Sequence, residues 1–467
     1  MSFFIYDMGF LVAFCLILFI FLYRKRKNLK REGITYLYRT KIGLKIIDRV
    51  SKKYPRFLNF LSYIIIAFGY FAMTAMIYLL YITIKIFIIN PEVVRIIKIP
   101  PLAPLIPYLP QLFKTDILPM FYFTYWIIVI AVVGIVHEFS HGIFARLYKI
   151  KVKSTGFAFF GPFVGAFVEP DEKQMQKAKK KNQLAILAAG TFSNAVLCII
   201  FFLVLWLFFA SAYSASGVIF NTYAYDFINK GDISYIGGNI TINFNEGLNL
   251  TEARVNNKTY FIPQEISENL DTLNDSQQIF VYQDSPALRA GLNGIIIEIN
   301  DIEISKYLKF KQEIEKHKPG DKIILITLNP KDKEKTDYNI TLIENPGNKS
   351  QGYLGIALIQ QQTSIIGKIK SVIVFFKDPN IYYAPKFIPE LTEFIYYLLW
   401  WLAFINFSVA LANMLPAWIF DGGRFFYISI LAITKKEKIA KISFKIISYL
   451  ILGIFLLLMI LWAFAFF

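Results

Sequence analysis

The chain has 467 residues, of which 56% are hydrophobic, 17% aromatic and only 18% charged, and its formal net charge is +17. This composition excludes a set of water-soluble domains and indicates a polytopic membrane protein with a polar insert. Most of the positive excess lies in short segments beside apolar runs, which is typical of cytoplasmic loops and argues against nucleic-acid binding. The two cysteines, Cys15 and Cys198, lie in different apolar runs, so we expect no disulfide framework.

The N-terminal apolar run Phe3–Tyr23 is long enough to cross a bilayer, and four basic residues, Arg24–Lys27, follow it at once. A cleaved signal peptide has the opposite polarity, so we predict a signal-anchor helix with its N-terminus outside. Residues 1–56 would then comprise this helix and a basic cytoplasmic loop.

Residues 57–119 are predicted to form a second span, from about Phe57 to Ile89, and a loop on the outer side. Five prolines lie between Pro100 and Pro110. Because proline interrupts helices, we expect this part of the loop to be extended and to lie on the membrane surface.

The third predicted span, Met120–Tyr148, contains two of the three histidines of the chain, His137 and His141, with Glu138 beside the first. Residues four apart share a helix face, so both imidazoles could bind one metal ion, and imidazole suits Zn²⁺. The alternative is two core histidines at helical spacing by chance. Ionisable residues inside a span are costly and usually functional, which favours the metal site.

An apolar stretch, Ser154–Pro170, lies between two lysine-rich clusters and is too short to span a membrane. It is rich in β-formers and is broken at Gly161-Pro162. We predict a re-entrant β-hairpin that faces the active site and whose free edge could pair with an extended substrate segment. The alternative is a hairpin lying on the lipid head groups.

A fourth span is predicted from about Leu184 to Ala212, so residues 120–212 would form the first part of the membrane core. Its small residues, Ala188-Ala189-Gly190, favour close helix packing. Asn194 is polar within the span, and its role is either an interhelical hydrogen bond or a direct part in the site.

Residues 213–390 are polar and fall outside by the topology count, and residues 391–467 complete the membrane core with a span to Met414 and a last one from Phe444. Two histidines leave a catalytic zinc one protein ligand short. His317 lies in the external segment, whereas Asp421 follows a helix break at about the depth of His137. Asp421 is therefore the predicted third ligand.

These separated motifs, together with Asn413-x-x-Pro416 and Asp421-Gly422, resemble those of the site-2 protease family, intramembrane zinc metalloproteases, in its archaeal type. The resemblance implies one catalytic Zn²⁺ held by His137, His141 and Asp421, with Glu138 as general base. It also implies substrate contacts at the residues Asn413, Asn194, Gly161 and Pro162. Thr191 departs from the pattern, since many relatives have proline there.

The external segment contains a second resemblance. Asp284–Leu292, Lys318–Asp321 and Gly352–Ile356 are similar to motifs of a PDZ domain, predicted over about residues 276–360, with an insertion at about 222–275. Such domains bind extended peptides by strand addition. A domain that only packs over the site and restricts access is an equal alternative.

The predicted fold is a polytopic α-helical membrane protein with about six transmembrane helices, a re-entrant β-hairpin and an extracytoplasmic α+β PDZ-like domain. The predicted function is hydrolysis of a peptide bond within or near a transmembrane segment of a membrane-spanning protein. The protein would lie in the cell membrane with both termini outside. Alternatives are a protease of the prenyl-protein-processing type, an inactive scaffold of the same family, and a transporter, for which no inverted repeat is visible.

Overall fold

The computed structural model describes residues 3–33, 35–101, 103–115, 117–161, 163–242, 247–330, 332–358 and 376–466. The chain divides into two compact units. The helical unit comprises Met1–Phe209 and Glu390–Phe467, and the sheet unit comprises Ala210–Pro389. The sheet unit is thus inserted into the sequence of the helical unit.

Fourteen helices lie within the described residues: α1 (Phe3–Lys25), α2 (Leu44–Lys53), α3 (Pro55–Ile89), α4 (Pro91–Ile97), α5 (Leu109–Leu112), α6 (Phe123–Leu147), α7 (Glu172–Lys177), α8 (Lys180–Ala212), α9 (Gln264–Ser267), α10 (Pro286–Arg289), α11 (Tyr307–Glu315), α12 (Pro389–Ala412), α13 (Asp421–Thr434) and α14 (Glu437–Phe466). Six of them, α1, α3, α6, α8, α12 and α14, are long and apolar enough to cross a membrane, which confirms the predicted number. Helix α14 begins at Glu437, seven residues before the predicted start of the last span.

The strands are β1 (Leu29–Glu32), β2 (Thr35–Thr40), β3 (Val152–Phe160), β4 (Phe163–Pro170), β5 (Tyr213–Val218), β6 (Thr222–Tyr223), β7 (Tyr225–Asn229), β8 (Ile233–Ile242), β9 (Leu248–Val255), β10 (Lys258–Pro263), β11 (Gln278–Gln283), β12 (Ile295–Ile299), β13 (Ile302–Glu303), β14 (Lys322–Leu328), β15 (Lys335–Thr341), β16 (Ile343–Asn345), β17 (Asn348–Tyr353), β18 (Ile356–Ala357) and β19 (Ile381–Pro385). All but the first four belong to the sheet unit.

The predicted hairpin forms from β3 and β4, and it belongs to a four-stranded antiparallel sheet in the order β1-β2-β3-β4. Strands β1 and β2 come from the basic segment, to which the sequence analysis gave only a topological role. Tyr36 lies opposite Phe159 and Thr40 opposite Thr155, so β2 covers the outer edge of β3. Of the hairpin's two strands, β4 is the one at a sheet edge among the described strands.

Helix α6 begins with a cap supplied by another helix. Asp7 of α1 is 2% exposed, and its carboxylate accepts hydrogen bonds from the backbone N–H groups of Phe123 (2.7 Å) and Thr124 (2.9 Å). The Tyr108 hydroxyl, from the proline-rich loop, donates to the same carboxylate. A helix leaves its first N–H groups without intrahelical partners, so this contact fixes the start of α6 and ties down the loop. The loop also contains α5, a four-residue helix that the expectation of an extended segment missed.

Between α12 and α13 the chain reverses in a turn over residues 413–420. The backbone N–H of Gly422 donates to the carbonyl of Asn413 at 2.7 Å. A Cβ on Gly422 would lie 2.3 Å from the backbone carbon of Met414, and one on Gly423 would lie 2.3 Å from the carbonyl oxygen of Ala417. Only glycines allow this close approach, which brings the start of α13 back over the turn.

The sheet unit contains two larger antiparallel sheets, in the orders β7-β11-β10-β9-β8 and β15-β14-β12-β5-β19. Strands β7 to β10 belong to the predicted insertion, and β11, from the PDZ-like segment, pairs with β7 and β10. In the PDZ-like motif Gly352–Ile356, Gly355 has a φ of +82°, and strand β18, which begins at Ile356, pairs with β6.

Candidate metal centre

Helix α6 places His137 and His141 one turn apart on a buried face, with 7% and 9% of their surfaces exposed. Their Nε2 atoms are 3.1 Å from each other. Two imidazole nitrogens this close inside an apolar helix bundle require a proton or a cation between them, since bare lone pairs repel.

Asp421, the first residue of α13, completes the cluster. Its Oδ2 atom is 3.2 Å from Nε2 of His137 and 3.2 Å from Nε2 of His141. The three donor atoms thus form a nearly equilateral triangle. Zn–N distances of about 2.0–2.1 Å in a tetrahedral site imply donor separations of ~3.3 Å, so these residues fit three corners of a zinc site and leave the fourth open.

The second nitrogen of each histidine also has a partner. Nδ1 of His141 lies 2.7 Å from the carbonyl oxygen of Ile186 in α8. Because a carbonyl only accepts, this contact places the proton on Nδ1 and leaves the Nε2 lone pair free for a metal.

His137 meets the side-chain amide of Asn194, which is fully buried, with Nδ2 3.1 Å from Nδ1 of the ring. In this orientation the Asn194 Oδ1 atom is buried without a hydrogen-bond partner. Turning the amide by 180° lets Oδ1 accept the Nδ1 proton of His137, which satisfies the oxygen and frees Nε2 for a metal. A zinc-loaded site therefore fits both residues better than a metal-free one.

Gly190 of α8 leaves space for these rings. A Cβ at this position would lie 2.6 Å from Nε2 of His141 and 2.7 Å from Nε2 of His137. Any larger residue would occupy the space of the ligand atoms, so the glycine forms one wall of the cluster. Gly190 was predicted only to favour helix packing. Its position four residues before the polar Asn194, on the same helix face, is the sequence feature that indicates a place at the site.

Glu138, the acid of the motif, contacts the four-stranded sheet. Its Oε2 atom accepts the backbone N–H of Val168 in β4 at 3.0 Å. Since that N–H is directed away from β3, the alternation of an antiparallel strand directs the N–H and C=O groups of Val164 and Ala166 to the same edge. The edge of β4 therefore runs beside the acid of the motif.

The remaining residues singled out from the sequence, Asn413, Gly161, Pro162 and His317, are not members of this cluster. Asn413 is half-buried in the turn before α13, and its side chain makes no hydrogen bond within the described part of the chain. Gly161 is at the tip of the hairpin with a φ of +56°, and Pro162 lies outside the described residues. His317 belongs to the sheet unit, and the metal cluster forms without it.

Two contacts of the metal-site helix were not predicted from the sequence. The Ile186 carbonyl is a backbone group, which residue identity does not reveal. Asp7 was visible as an acid inside the first apolar run, and an acid at that place should have been noted as a polar contact within the membrane.

The comparisons with known proteins agree with this geometry. The model of peptidase family M50 matches residues 125–459, which include both histidines, Glu138 and Asp421. The chain is also 29% identical over 229 residues to the uncharacterized protein MJ0971 of Methanocaldococcus jannaschii, a match that covers 47% of this chain and 57% of the relative. The chain thus spans little more than half the length of that curated relative. Because the family model covers well over half of the chain, the protein belongs to peptidase family M50, the site-2 protease family.

Proposed function

We propose that this protein is an intramembrane zinc endopeptidase that hydrolyses a peptide bond within or near a transmembrane segment of a membrane-anchored protein. The observation that carries the proposal is the triangle of donor atoms from His137, His141 and Asp421, two of which lie on α6, a helix long and apolar enough to span the bilayer. His137 lies 14 residues after Phe123, or roughly 21 Å along α6, which supports a site inside the membrane near its inner face.

Each side chain has a role that its contacts support. A zinc ion held by the triangle would supply a Lewis acid that polarises a peptide carbonyl and acidifies the attacking water. Glu138 accepts the proton of that water and returns it to the leaving amine. Asn194 and the Ile186 carbonyl hold the two imidazoles in the orientation that presents Nε2 to the metal.

The edge of β4 is the proposed docking site for the unwound part of the substrate. A helical peptide bond is closed to attack, so the cleaved segment must be extended, and an extended segment can add to a sheet edge. Val164 and Ala166 direct their backbone groups to that edge, and a hairpin that enters the membrane would present them to the substrate. Gly161 at the tip of the hairpin and the side chain of Asn413 are proposed further substrate contacts. Pro162, outside the described residues, remains a proposed contact from the sequence alone.

The basic segments at residues 24–56, 149–183 and 435–445 support a topology in which they are cytoplasmic. Both termini and residues 213–390 would then lie on the extracytoplasmic side of the cell membrane. For the sheet unit we propose a PDZ-like role in binding a peptide or restricting access. Strand β18, which begins at the end of the PDZ-like motif Gly352–Ile356, is already paired with β6, which favours restriction of access.

An inactive scaffold of the same family is the alternative from another class. Such a protein loses the acid or a ligand in the course of evolution. Here Glu138, His137, His141 and Asp421 are all present, and the three ligands converge. The geometry therefore favours the enzyme.

The test is co-expression of the full chain with a tagged single-span protein, followed by detection of the cleaved fragment. We expect cleavage by the wild type and a loss of at least ~100-fold in Glu138→Gln. Glu303→Gln, an exposed acid of the sheet unit, is the control and should cleave normally. Equal cleavage by wild type and Glu138→Gln contradicts the mechanism, and bound zinc without cleavage of any tested span favours the scaffold.

A further inference from the structure

We propose that the outward face of α2 is a binding site for the head groups of anionic phospholipids. Four basic residues of this ten-residue helix, Lys45, Arg49, Lys52 and Lys53, are exposed. The exposed Ile46 lies on the helix beside this basic face, and the exposed Ile42 lies in the turn just before the helix. At 100° per residue the four basic positions fall within about 100° of one face. The opposite face is buried through Ile47, which is fully covered, and Ser51, which is 5% exposed.

The charge of this face is not neutralised by the protein. Within the described residues, no carboxylate lies within ion-pair distance of Lys45, Arg49, Lys52 or Lys53. The acid of the helix, Asp48, instead pairs with Arg146 of α6 at 2.8 Å. Four adjacent positive charges repel one another, so this surface gains stability when an anionic partner lies over it.

The chain's own connections bring that face to the bilayer surface. One residue, Tyr54, separates α2 from the spanning helix α3, whose first turns expose Phe57 and Phe60. A short helix with a basic face and interspersed apolar side chains, placed at the end of a span, has the character of an interfacial helix. Phospholipid phosphates at that depth match the four charges, and the acyl boundary matches Ile42 and Ile46.

The buried face of α2 rests on the metal-binding helix. Ile47 packs against Gly142, next to His141, so closely that a Cβ on Gly142 would lie 2.9 Å from the Ile47 Cδ1 atom. Gly43, with a φ of +85°, lies against the ring of Phe139, where a Cβ would come within 2.3 Å. Lipid bound to the outer face would therefore hold α2 against the HExxH turn. Resting on the proposed function, we infer that the proteolytic rate rises with the fraction of anionic lipid.

The experiment uses the full chain in nanodiscs of phosphatidylcholine with 0 or 30% phosphatidylglycerol, and native mass spectrometry counts the lipids that stay bound. The test variant is Lys45→Gln/Arg49→Gln/Lys52→Gln/Lys53→Gln. Its matched control, Lys306→Gln/Lys309→Gln/Lys318→Gln/Lys322→Gln, removes the same charge from exposed lysines of the sheet unit. Equal zinc content and circular dichroism in all three proteins verify folding.

We expect the wild type and the control to retain phosphatidylglycerol over phosphatidylcholine, and the α2 variant to lose at least ~10-fold of that preference. The preference should fall in 1 M salt, where the Debye length is only ~3 Å. Equal retention of phosphatidylglycerol by the α2 variant and the wild type overturns the proposal. When a short RNA is added as a competitor, its retention by the wild type in place of phosphatidylglycerol also overturns the proposal. Lipid selectivity without cleavage would refute the proteolytic function alone, and cleavage without selectivity would refute the lipid site alone.

Discussion

The carboxylate of Glu138 accepts the backbone N–H of Val168 at 3.0 Å, so the proposed general base is held by the edge strand of the sheet. The same edge is the proposed docking site for substrate. We expect the Val168 N–H to hold this carboxylate in position for the attacking water while a substrate strand lies along the neighbouring part of the edge. Positioning of the base and docking of substrate would then depend on the same strand.

Removal of this N–H tests the relationship. Val168→Pro deletes the donor and, at a sheet edge, leaves the ladder with β3 in place. We expect kcat to fall by up to about 100-fold because the carboxylate is misplaced, with zinc content unchanged. Val164→Pro makes the same change on the same edge without a contact to Glu138 and should affect KM alone. A normal kcat and an unchanged pH profile in Val168→Pro would show that the bond is only structural.

Gly190 provides a test of the metal centre that changes no ligand. In Gly190→Ala the new methyl group meets both ligand nitrogens at about 2.6–2.7 Å, which excludes the ion or displaces the rings. We expect wild-type protein to contain one zinc per chain by elemental analysis and Gly190→Ala to contain almost none. Gly134→Ala, on α6, is the control, since its Cβ has no neighbour nearer than 3.9 Å. Full zinc in Gly190→Ala would refute the site as described.

The contact between Asn194 and His137 predicts graded effects on zinc affinity. Asn194→Ala removes the acceptor for the Nδ1 proton and should weaken zinc binding ~10- to 100-fold in a competition with a chelator. Asn194→Asp keeps an acceptor oxygen and should retain most of the affinity. Asn406→Ala changes another fully buried asparagine of a spanning helix and should bind zinc normally. If Asn194→Ala binds zinc as tightly as wild type, Asn194 has no positioning role.

The sequence was sufficient for the six candidate spans and for the three residues that converge in the candidate metal cluster, because most of these residues lie in strong local patterns. A run of apolar residues predicts a span, and an i, i+4 histidine pair beside an acid predicts a metal helix. Asp421 was predicted as the third ligand because it follows a helix break and lies at about the same depth in the membrane as His137. No pattern in the sequence around Asp421 indicates that its Oδ2 atom lies at the same distance from both imidazoles.

The four-stranded sheet was only half predicted. The β3–β4 hairpin has a visible turn and β-forming residues, whereas β1 and β2 lie among lysines and arginines that drew attention to topology. Their partner is β3, with Tyr36 opposite Phe159, and pairing between residues so far apart in the chain leaves no periodic pattern in either segment. The inner packing of α2 was missed for the same reason.

The connection between β2 and the hairpin should depend on pH. Glu169 of β4 bonds to Arg39 of β2 at 2.9 Å and to the Ser154 hydroxyl at 2.6 Å. The Arg39 guanidinium, aided by that hydroxyl, holds the pKa of Glu169 below its ordinary value. A lowered folded-state pKa means that the stabilisation is complete above the unfolded pKa of ~4.3 and is lost as the pH falls through the folded value.

Hydrogen exchange of residues 35–40 measures this dependence after correction for intrinsic rates. In the wild type, protection should be constant from pH 7 to 5 and should decrease below about pH 4.3. In Glu169→Gln the decrease attributable to this group should be absent, while the ion pair of Arg39 with Glu32 remains. Identical profiles for wild type and Glu169→Gln would exclude Glu169 as the titrating group.

The cap that Asp7 supplies to α6 predicts a stability effect at the end of the helix farthest from the metal. Tyr122, the residue before α6, provides no side-chain cap, so the N–H groups of Phe123 and Thr124 depend on Asp7. Loss of a cap costs about 0.5–2 kcal/mol, and here the acceptor is buried, so we expect Asp7→Ala to lower the Tm in detergent by several degrees. Asp7→Asn keeps one acceptor oxygen and should lie in between. Glu92→Ala, an exposed acid, is the control and should unfold at the wild-type temperature. If Asp7→Ala also unfolds at the wild-type temperature, the hydrogen bonds from α6 to Asp7 do not stabilise the start of α6, and α1 only packs against it.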